Sequence, residues 1–284
     1  MAVHGMLKRL WTSGLLLLLL AGCADPLIRA DRLADGTLQR TTVRTDAFVL
    51  TAYRRLGAPG RPLRVYIEGD GLAWISRNQP SPDPTPLNPL GLRLAVADGG
   101  PNVLYLARPC QFTPMADNPR CTVEMWTGKR FAPEVVDSLD QAIDQFVLRA
   151  HSRGVELIGY SGGGALAVLL AARRHDVLSI RTVAGNLDQA EVNRLHAVSP
   201  MPDSLNAIDV AARVANIPQW HFSGGADSTV PAQIAARFAA AAGGDCIRLR
   251  VVADMTHGGD WASLWPQLLA LTPQCARSKA PDTM

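Results

Sequence analysis

The strongest constraint in this chain is a short strand-like run, residues 155–158, apolar but for Glu156, that ends on Gly159-Tyr160-Ser161-Gly162-Gly163 and leads directly into an apolar segment at residues 162–174. The first run has the length and composition of a buried strand. The second is helix-length and apolar nearly all round, which predicts a buried helix. A strand that becomes a helix within so few residues needs a sharp backbone reversal, and the flanking glycines allow neighbouring backbone to come close. Such a unit belongs to a parallel sheet whose strands are joined by covering helices.

The rest of the chain repeats this alternation. Residues 63–67, 103–106, 178–183, 219–222 and 247–252 read as further short strands. Residues 133–152 read as a helix, with Pro133 in the first turn and Val135, Val136, Leu139, Ile143, Phe146, Val147 and Ala150 at helical spacing. Residues 91–97, 231–242 and 261–271 are further helical stretches. The pattern predicts an α/β fold with a mostly parallel central sheet and helices on both faces. Residues 41–55 read as one or two edge strands. Five prolines between Pro80 and Pro89 specify a loop, and residues 186–215 look like an excursion from the sheet. Residues 74–89, 110–126 and 186–215 are the candidate lids over a pocket. At 284 residues, 48% hydrophobic and 19% charged, the chain suits one large α/β domain, placed at residues 41–275 with a short tail at 276–284. A formal charge of +3 with scattered basic residues gives no nucleic-acid footprint.

The N-terminus is expected to lie outside that domain. Lys8 and Arg9 precede an apolar run that includes six leucines from Leu15 to Leu20, and Asp25-Pro26 closes it. The run is too short for a spanning helix, which needs about 20 apolar residues, and fits a secretory signal. Its end, Leu20-Ala21-Gly22-Cys23, resembles the lipobox of bacterial lipoproteins. That resemblance implies removal of residues 1–22, lipidation of Cys23 and a polar tether at residues 23–40. With Ala24 after the cysteine it implies an outer-membrane lipoprotein facing the periplasm. The membrane is then a partner through several acyl chains, each buried CH₂ contributing about 0.8 kcal/mol.

Four further cysteines, Cys110, Cys121, Cys246 and Cys275, suit export as two disulfides. Four cysteines allow several connectivities, of which the local pairs Cys110–Cys121 and Cys246–Cys275 are the simplest. No CxxC or His-rich pairing suggests a metal. The glycines around Ser161 match neither a Walker loop nor a dinucleotide fingerprint, so no cofactor is expected.

Chemistry centres on Ser161. A serine hydroxyl needs a base, and an imidazole base needs a third group to fix its tautomer. His257 lies in a Gly-flanked loop after the last expected strand. His196 falls in the excursion, His221 inside a strand, and His151 and His175 at expected helix ends. Asp227 lies between the expected strand at 219–222 and the helix after Pro231; Asp188, Asp209 and Asp254 are its rivals. The order Ser161, Asp227, His257, the G-x-S-x-G turn and the run Gly224 to Pro231 together resemble the α/β-hydrolase superfamily. The resemblance implies hydrolysis of an ester, thioester or amide of a small or lipid-like substrate through an acyl-enzyme on Ser161. It also implies an oxyanion hole formed by the Gly162 N–H and a second donor from the loop after an early strand. The matching loop is Glu68-Gly69-Asp70-Gly71, where Asp70 or Gly71 supplies the N–H. Glu68 and Asp70 stay open between lining the site and serving as turn residues. A serine peptidase or amidase, and a non-catalytic lipoprotein scaffold for an envelope partner, are the competing readings.

Overall fold

The computed structural model describes residues 25–276, so Cys23, the expected signal segment and most of the expected tail lie outside the described residues. Helix α1 (Pro26–Ala34) precedes two strands, β1 (Gln39–Arg44) and β2 (Val49–Leu56), and then β3 (Leu63–Ile67). A hairpin of β4 (Trp74–Ser76) and β5 (Gln79–Pro80) is followed by α2 (Leu90–Val96) and β6 (Asn102–Leu106). Helices α3 (Val123–Trp126) and α4 (Pro133–Ala150) lead to β7 (Val155–Tyr160) and α5 (Gly162–Ala171). The chain ends with β8 (Val177–Val183), α6 (Gln189–Leu195), β9 (Gln219–Gly224), α7 (Gln233–Ala242), β10 (Ile247–Val252) and α8 (Trp261–Leu269).

Eight strands form one sheet in the order β1-β2-β6-β3-β7-β8-β9-β10. Only the β1–β2 and β2–β6 pairs are antiparallel; all the others are parallel. The two-residue period of a strand sorts the core into two layers. Leu63, Val65 and Ile67 of β3 face a core that includes Leu139, Ile143 and Phe146 of α4 and Leu166 and Leu170 of α5. Tyr66, with Tyr105 of β6 and Ile158 of β7, faces the other core, filled by Leu92 of α2 and Trp261 and Trp265 of α8. Helices thus cover both faces, as the alternation of apolar runs requires.

The order reverses at β3. From β3 the chain goes to β6 on one side, then crosses back to β7 on the other. The carboxyl ends of β3 and β7 therefore open on a crevice, the place where open α/β sheets hold their sites.

Two expectations are corrected here. The stretch taken as a tether, residues 23–40, is folded over most of its length. Asp25 caps α1 by accepting from the Leu27 N–H at 2.8 Å, Pro26 suits its first turn, and Ala30 and Ala34 are buried. Leu27 and Leu33 pack against the same core, a short stripe interleaved with Arg29, Asp31 and Arg32. The second correction concerns β2, which is not an edge strand but lies between β1 and β6. The disulfides Cys110–Cys121 and Cys246–Cys275 are both formed, in the local pairing. Among the described residues no helix is long and apolar enough to cross a membrane.

Candidate active site

Ser161 ends β7 and stands immediately before α5 with φ 51° and ψ −120°. This backbone conformation is strained for a residue with a side chain, and it persists because the surroundings fix it. The Ser161 N–H donates to the Val183 carbonyl at 2.9 Å, and its own carbonyl accepts from Gly164 and Asn186, each at 2.9 Å. Glycine is required on both sides of the turn. A Cβ on Gly159 would lie 2.1 Å from the Gly163 oxygen, and one on Gly163 would lie 2.2 Å from the Ile67 oxygen.

His257 reaches Ser161 from the loop between β10 and α8. Its Nε2 is 3.0 Å from Ser161 Oγ, and its Nδ1 is 2.8 Å from Asp227 Oδ2. Asp227 lies on the loop after β9 and is buried. Its second oxygen, Oδ1, accepts from the Thr229 and Val230 N–H groups at 2.9 and 2.8 Å. A carboxylate oxygen can only accept, so Asp227 Oδ2 selects the tautomer of His257 with its proton on Nδ1. Nε2 then faces Ser161 with a lone pair. The His257 carbonyl accepts from Trp261 Nε1 at 3.2 Å and from the Tyr160 hydroxyl at 3.3 Å, which fixes the loop. Burial pushes the Tyr160 phenol up, so it stays a neutral donor.

The rival residues are engaged elsewhere. Asp188 caps α6 and pairs with Arg237, while Asp209 and Asp254 are exposed. His221 is fully buried between Thr182 and Gln219, and burial lowers its pKa to about 3. His196 Nε2 donates to the Thr229 carbonyl at 2.8 Å, at the rim of the pocket.

The Glu68-Gly69-Asp70-Gly71 turn divides its two acids. Glu68 borders the smaller cavity at Ser161, but its carboxylate is fully engaged. It accepts from the N–H groups of Gly69, Gly91 and Leu92 and from the Tyr105 hydroxyl, capping α2. Its burial nevertheless pushes its pKa up. Asp70 faces the serine turn: its Oδ1 lies 2.0 Å from where a Cβ on Gly162 would stand. Burial pushes its carboxyl up, but Arg130 and Arg108 outweigh that and hold it below the usual carboxylate range. Arg108 and Arg130 were not foreseen. Arg108 follows β6 and Arg130 precedes α4, far from Asp70 in sequence, and only the position of β6 beside β3 gathers them. The N–H groups of Asp70 and Gly162 have no acceptor among the described residues. Gly71, at φ 67°, is pressed against the Pro84 carbonyl.

Two cavities meet at Ser161. The larger, about 980 Å³, runs under the β4–β5 hairpin and α6 with the loop that follows it. The smaller, about 340 Å³, is bounded by Pro86, Leu87, Tyr160 and His257. Of the three candidate lids, residues 74–89 and 186–215 line these cavities; the third gives way to Thr127, Gly128 and Arg130 just beyond it. No cluster of metal-ligating side chains occurs among the described residues.

A switched, mostly parallel sheet with a serine on the strand–helix turn at its carboxyl edge defines the α/β-hydrolase fold. Solved structures of that fold are similar to this chain. They include an esterase of Pyrococcus furiosus (12% identity, 82% of this chain and 91% of that one, TM-score 0.58). An α/β serine hydrolase homologue from Coxiella burnetii matches at 14% identity over 82% of this chain and 96% of that one, TM-score 0.58. A protein of unknown function from Agrobacterium tumefaciens, described as a putative α/β hydrolase, matches at 14% identity over 81% and 93%, TM-score 0.56. The sequence matches no protein-family model and no curated protein.

Proposed function

We propose that this chain is a serine hydrolase that cleaves an ester through an acyl-enzyme on Ser161. One observation carries the reading: His257 stands between Ser161 Oγ at 3.0 Å and Asp227 Oδ2 at 2.8 Å. In the proposed reaction Ser161 Oγ attacks the substrate carbonyl as His257 Nε2 takes its proton. The negative charge that develops on the carbonyl oxygen is met by the Gly162 N–H at the start of α5 and by the Asp70 N–H. The carbon–oxygen bond to the alcohol then breaks, and His257 returns the proton to the departing oxygen. Water, deprotonated by His257, releases the acid. Asp227 stays ionised throughout and stabilises the imidazolium.

We also infer that the protein is exported and held in the cell envelope by lipid on Cys23. The two disulfides support an oxidising compartment. A fluorophosphonate probe tests the hydrolase: wild type labels and Ser161→Ala does not. Failure of wild type to label, or labelling of the variant, moves the reading to a non-catalytic scaffold or to another nucleophile. Activity on anilides with none on esters would instead favour an amidase. The anchor is tested by metabolic labelling with a fatty acid, which Cys23→Ala abolishes; unchanged labelling refutes it.

A further inference from the structure

Two cavities meet at Ser161, and His257 tells them apart. Any alcohol leaving the acyl-enzyme must take its proton from His257. That residue lines the smaller cavity and not the larger. The alcohol part of an ester therefore sits in the smaller cavity, and the acyl part extends into the larger one.

The larger cavity has a mostly apolar wall, including Trp74, Val192, Val198 and Met201, into which two guanidiniums are set. Arg77 and Arg130 line it, and Asp70 is the one carboxylate in its wall among the described residues. That carboxylate is already shared between two guanidiniums, those of Arg108 and Arg130. Arg108 is used up inside the wall, donating to Asp70 and to the Arg130 carbonyl. Arg130 reaches Asp70 at 3.3 Å, yet its Nε is buried with no hydrogen-bond partner. Asn186 also lines the cavity, and its buried Oδ1 is likewise unpartnered. Buried polar groups are normally paired, and a buried cation in excess of its counter-charge is costly. Two guanidiniums, those of Arg77 and Arg130, against the single carboxylate of Asp70 thus leave positive charge in the wall beside the nucleophile.

We propose that the larger cavity takes an acyl group bearing its own carboxylate, so that the substrates are half-esters of dicarboxylic acids or esters of similarly acidic acyl groups. Arg130 binds the carboxylate, and Arg77 at the mouth draws the anion in. Arg77 is exposed and tied through its guanidinium to the His196 carbonyl, so it holds a fixed positive charge at the rim. The proposal rests on the hydrolase reading above for the orientation of the ester, but the cationic cavity itself does not depend on turnover.

The test pairs two 4-nitrophenyl esters of equal acyl length, the glutaryl half-ester and the pentanoyl ester. Wild type should favour the glutaryl ester in kcat/KM by at least about tenfold, the scale of one charge-assisted hydrogen bond. High salt should shrink that preference, because the attraction at Arg77 is exposed to screening. Arg130→Gln should collapse the ratio and Arg130→Lys should restore part of it. Should Arg130→Gln fail to fold, Arg77→Gln carries the test through a lower glutaryl-to-pentanoyl ratio. In parallel, monomethyl glutarate and methyl pentanoate are titrated into Ser161→Ala, with and without Arg77→Gln, following tryptophan fluorescence from Trp74 in the cavity wall. A wild type that hydrolyses both esters without preference overturns the pocket and leaves the hydrolase standing. Neither hydrolysis nor fluorophosphonate labelling, together with monomethyl glutarate binding that Arg77→Gln weakens, overturns the hydrolase and leaves the pocket standing. Equal binding of the two probes overturns the pocket in either case.

Discussion

Replacing Asp227 by Asn changes one atom and should stop the reaction without unfolding the protein. Aspartate presents two acceptor oxygens, and both are used. Oδ1 accepts from the Thr229 and Val230 N–H groups, and Oδ2 from His257 Nδ1. Asparagine has only one acceptor oxygen. If that oxygen keeps the two backbone donors, its NH₂ faces His257 Nδ1, which must then accept. The imidazole proton moves to Nε2 and points at Ser161, so Nε2 can no longer take the serine proton. The opposite amide orientation would set NH₂ against the buried Val230 N–H and the part-buried Thr229 N–H. The buried orphan alone costs about 1–3 kcal/mol, so that flip is disfavoured. The structure therefore locks the variant in the wrong tautomer. A wrong tautomer in such a triad lowers kcat by about 10⁴, which corresponds to about 5.5 kcal/mol of barrier. The assay is kcat on an activated ester, with the melting temperature followed alongside. Asp227→Ala, which orphans the same two N–H groups outright, should lose stability as well as activity. If Asp227→Asn keeps kcat within about tenfold of wild type, the tautomer argument and the role given to Asp227 are both wrong.

Three further outcomes follow from the same geometry. His221 is neutral in the folded protein, and burial takes its pKa from 6.5 to about 3, so the unfolded chain binds the extra proton as pH falls through that interval. Its contribution is complete above pH 6.5 and is lost as pH drops towards 3, with a slope of up to about 1.4 kcal/mol per pH unit. Urea unfolding between those limits should show the loss, and an NMR signature of protonated His221 in the folded protein at about pH 5 would refute it. Gly163→Ala would press a methyl 2.2 Å from the Ile67 oxygen and 2.6 Å from the Glu68 oxygen, backbone that cannot yield cheaply. Displacing the oxyanion loop in this way should lower kcat/KM by about a hundredfold or more, and near-normal kinetics would show that the turn tolerates a Cβ. Replacing Cys246 and Cys275 by alanine opens a link across 29 residues. Chain entropy puts the loss at about 3–4 kcal/mol, measurable by denaturant unfolding, and an unchanged midpoint would refute that contribution.

How far the fold could be read from sequence depended on how local the cause was. Strands β3, β6, β7 and β8 announced themselves because each carries a short cluster of buried apolar residues, although Arg64, Glu156 and Arg181 interrupt three of them. Ser161, Asp227 and His257 were legible because each sits at a strand end marked by glycine. Helix α1 was missed because its core-facing stripe, Leu27, Ala30, Leu33 and Ala34, is short and interleaved with Arg29, Asp31 and Arg32. The β4–β5 hairpin was hidden inside a stretch read as a loop leading to the prolines. Arg108 and Arg130 could not have been found at all. Their roles arise from the insertion of β6 between β2 and β3, a long-range pairing to which no local pattern corresponds.

That pairing also explains the turn that looked least suitable for an oxyanion hole. Two acids beside a developing negative charge should oppose it, yet each is disarmed differently. Glu68 borders the smaller cavity, but its carboxylate is turned to the N–H groups that begin α2, where the helix end favours negative charge. Asp70 is held between two guanidiniums, so the wall next to Gly162 presents net positive rather than negative charge. The acid is then useful. It fixes Arg108 and Arg130 against β3 and the start of α4, and in the proposed reaction it orients the backbone N–H offered to the reacting oxygen. Neutral Asn at position 70 would relieve the apparent repulsion but release both arginines. On this argument Asp70→Asn should slow turnover rather than speed it, and faster turnover would mean that the carboxylate opposes the reaction after all.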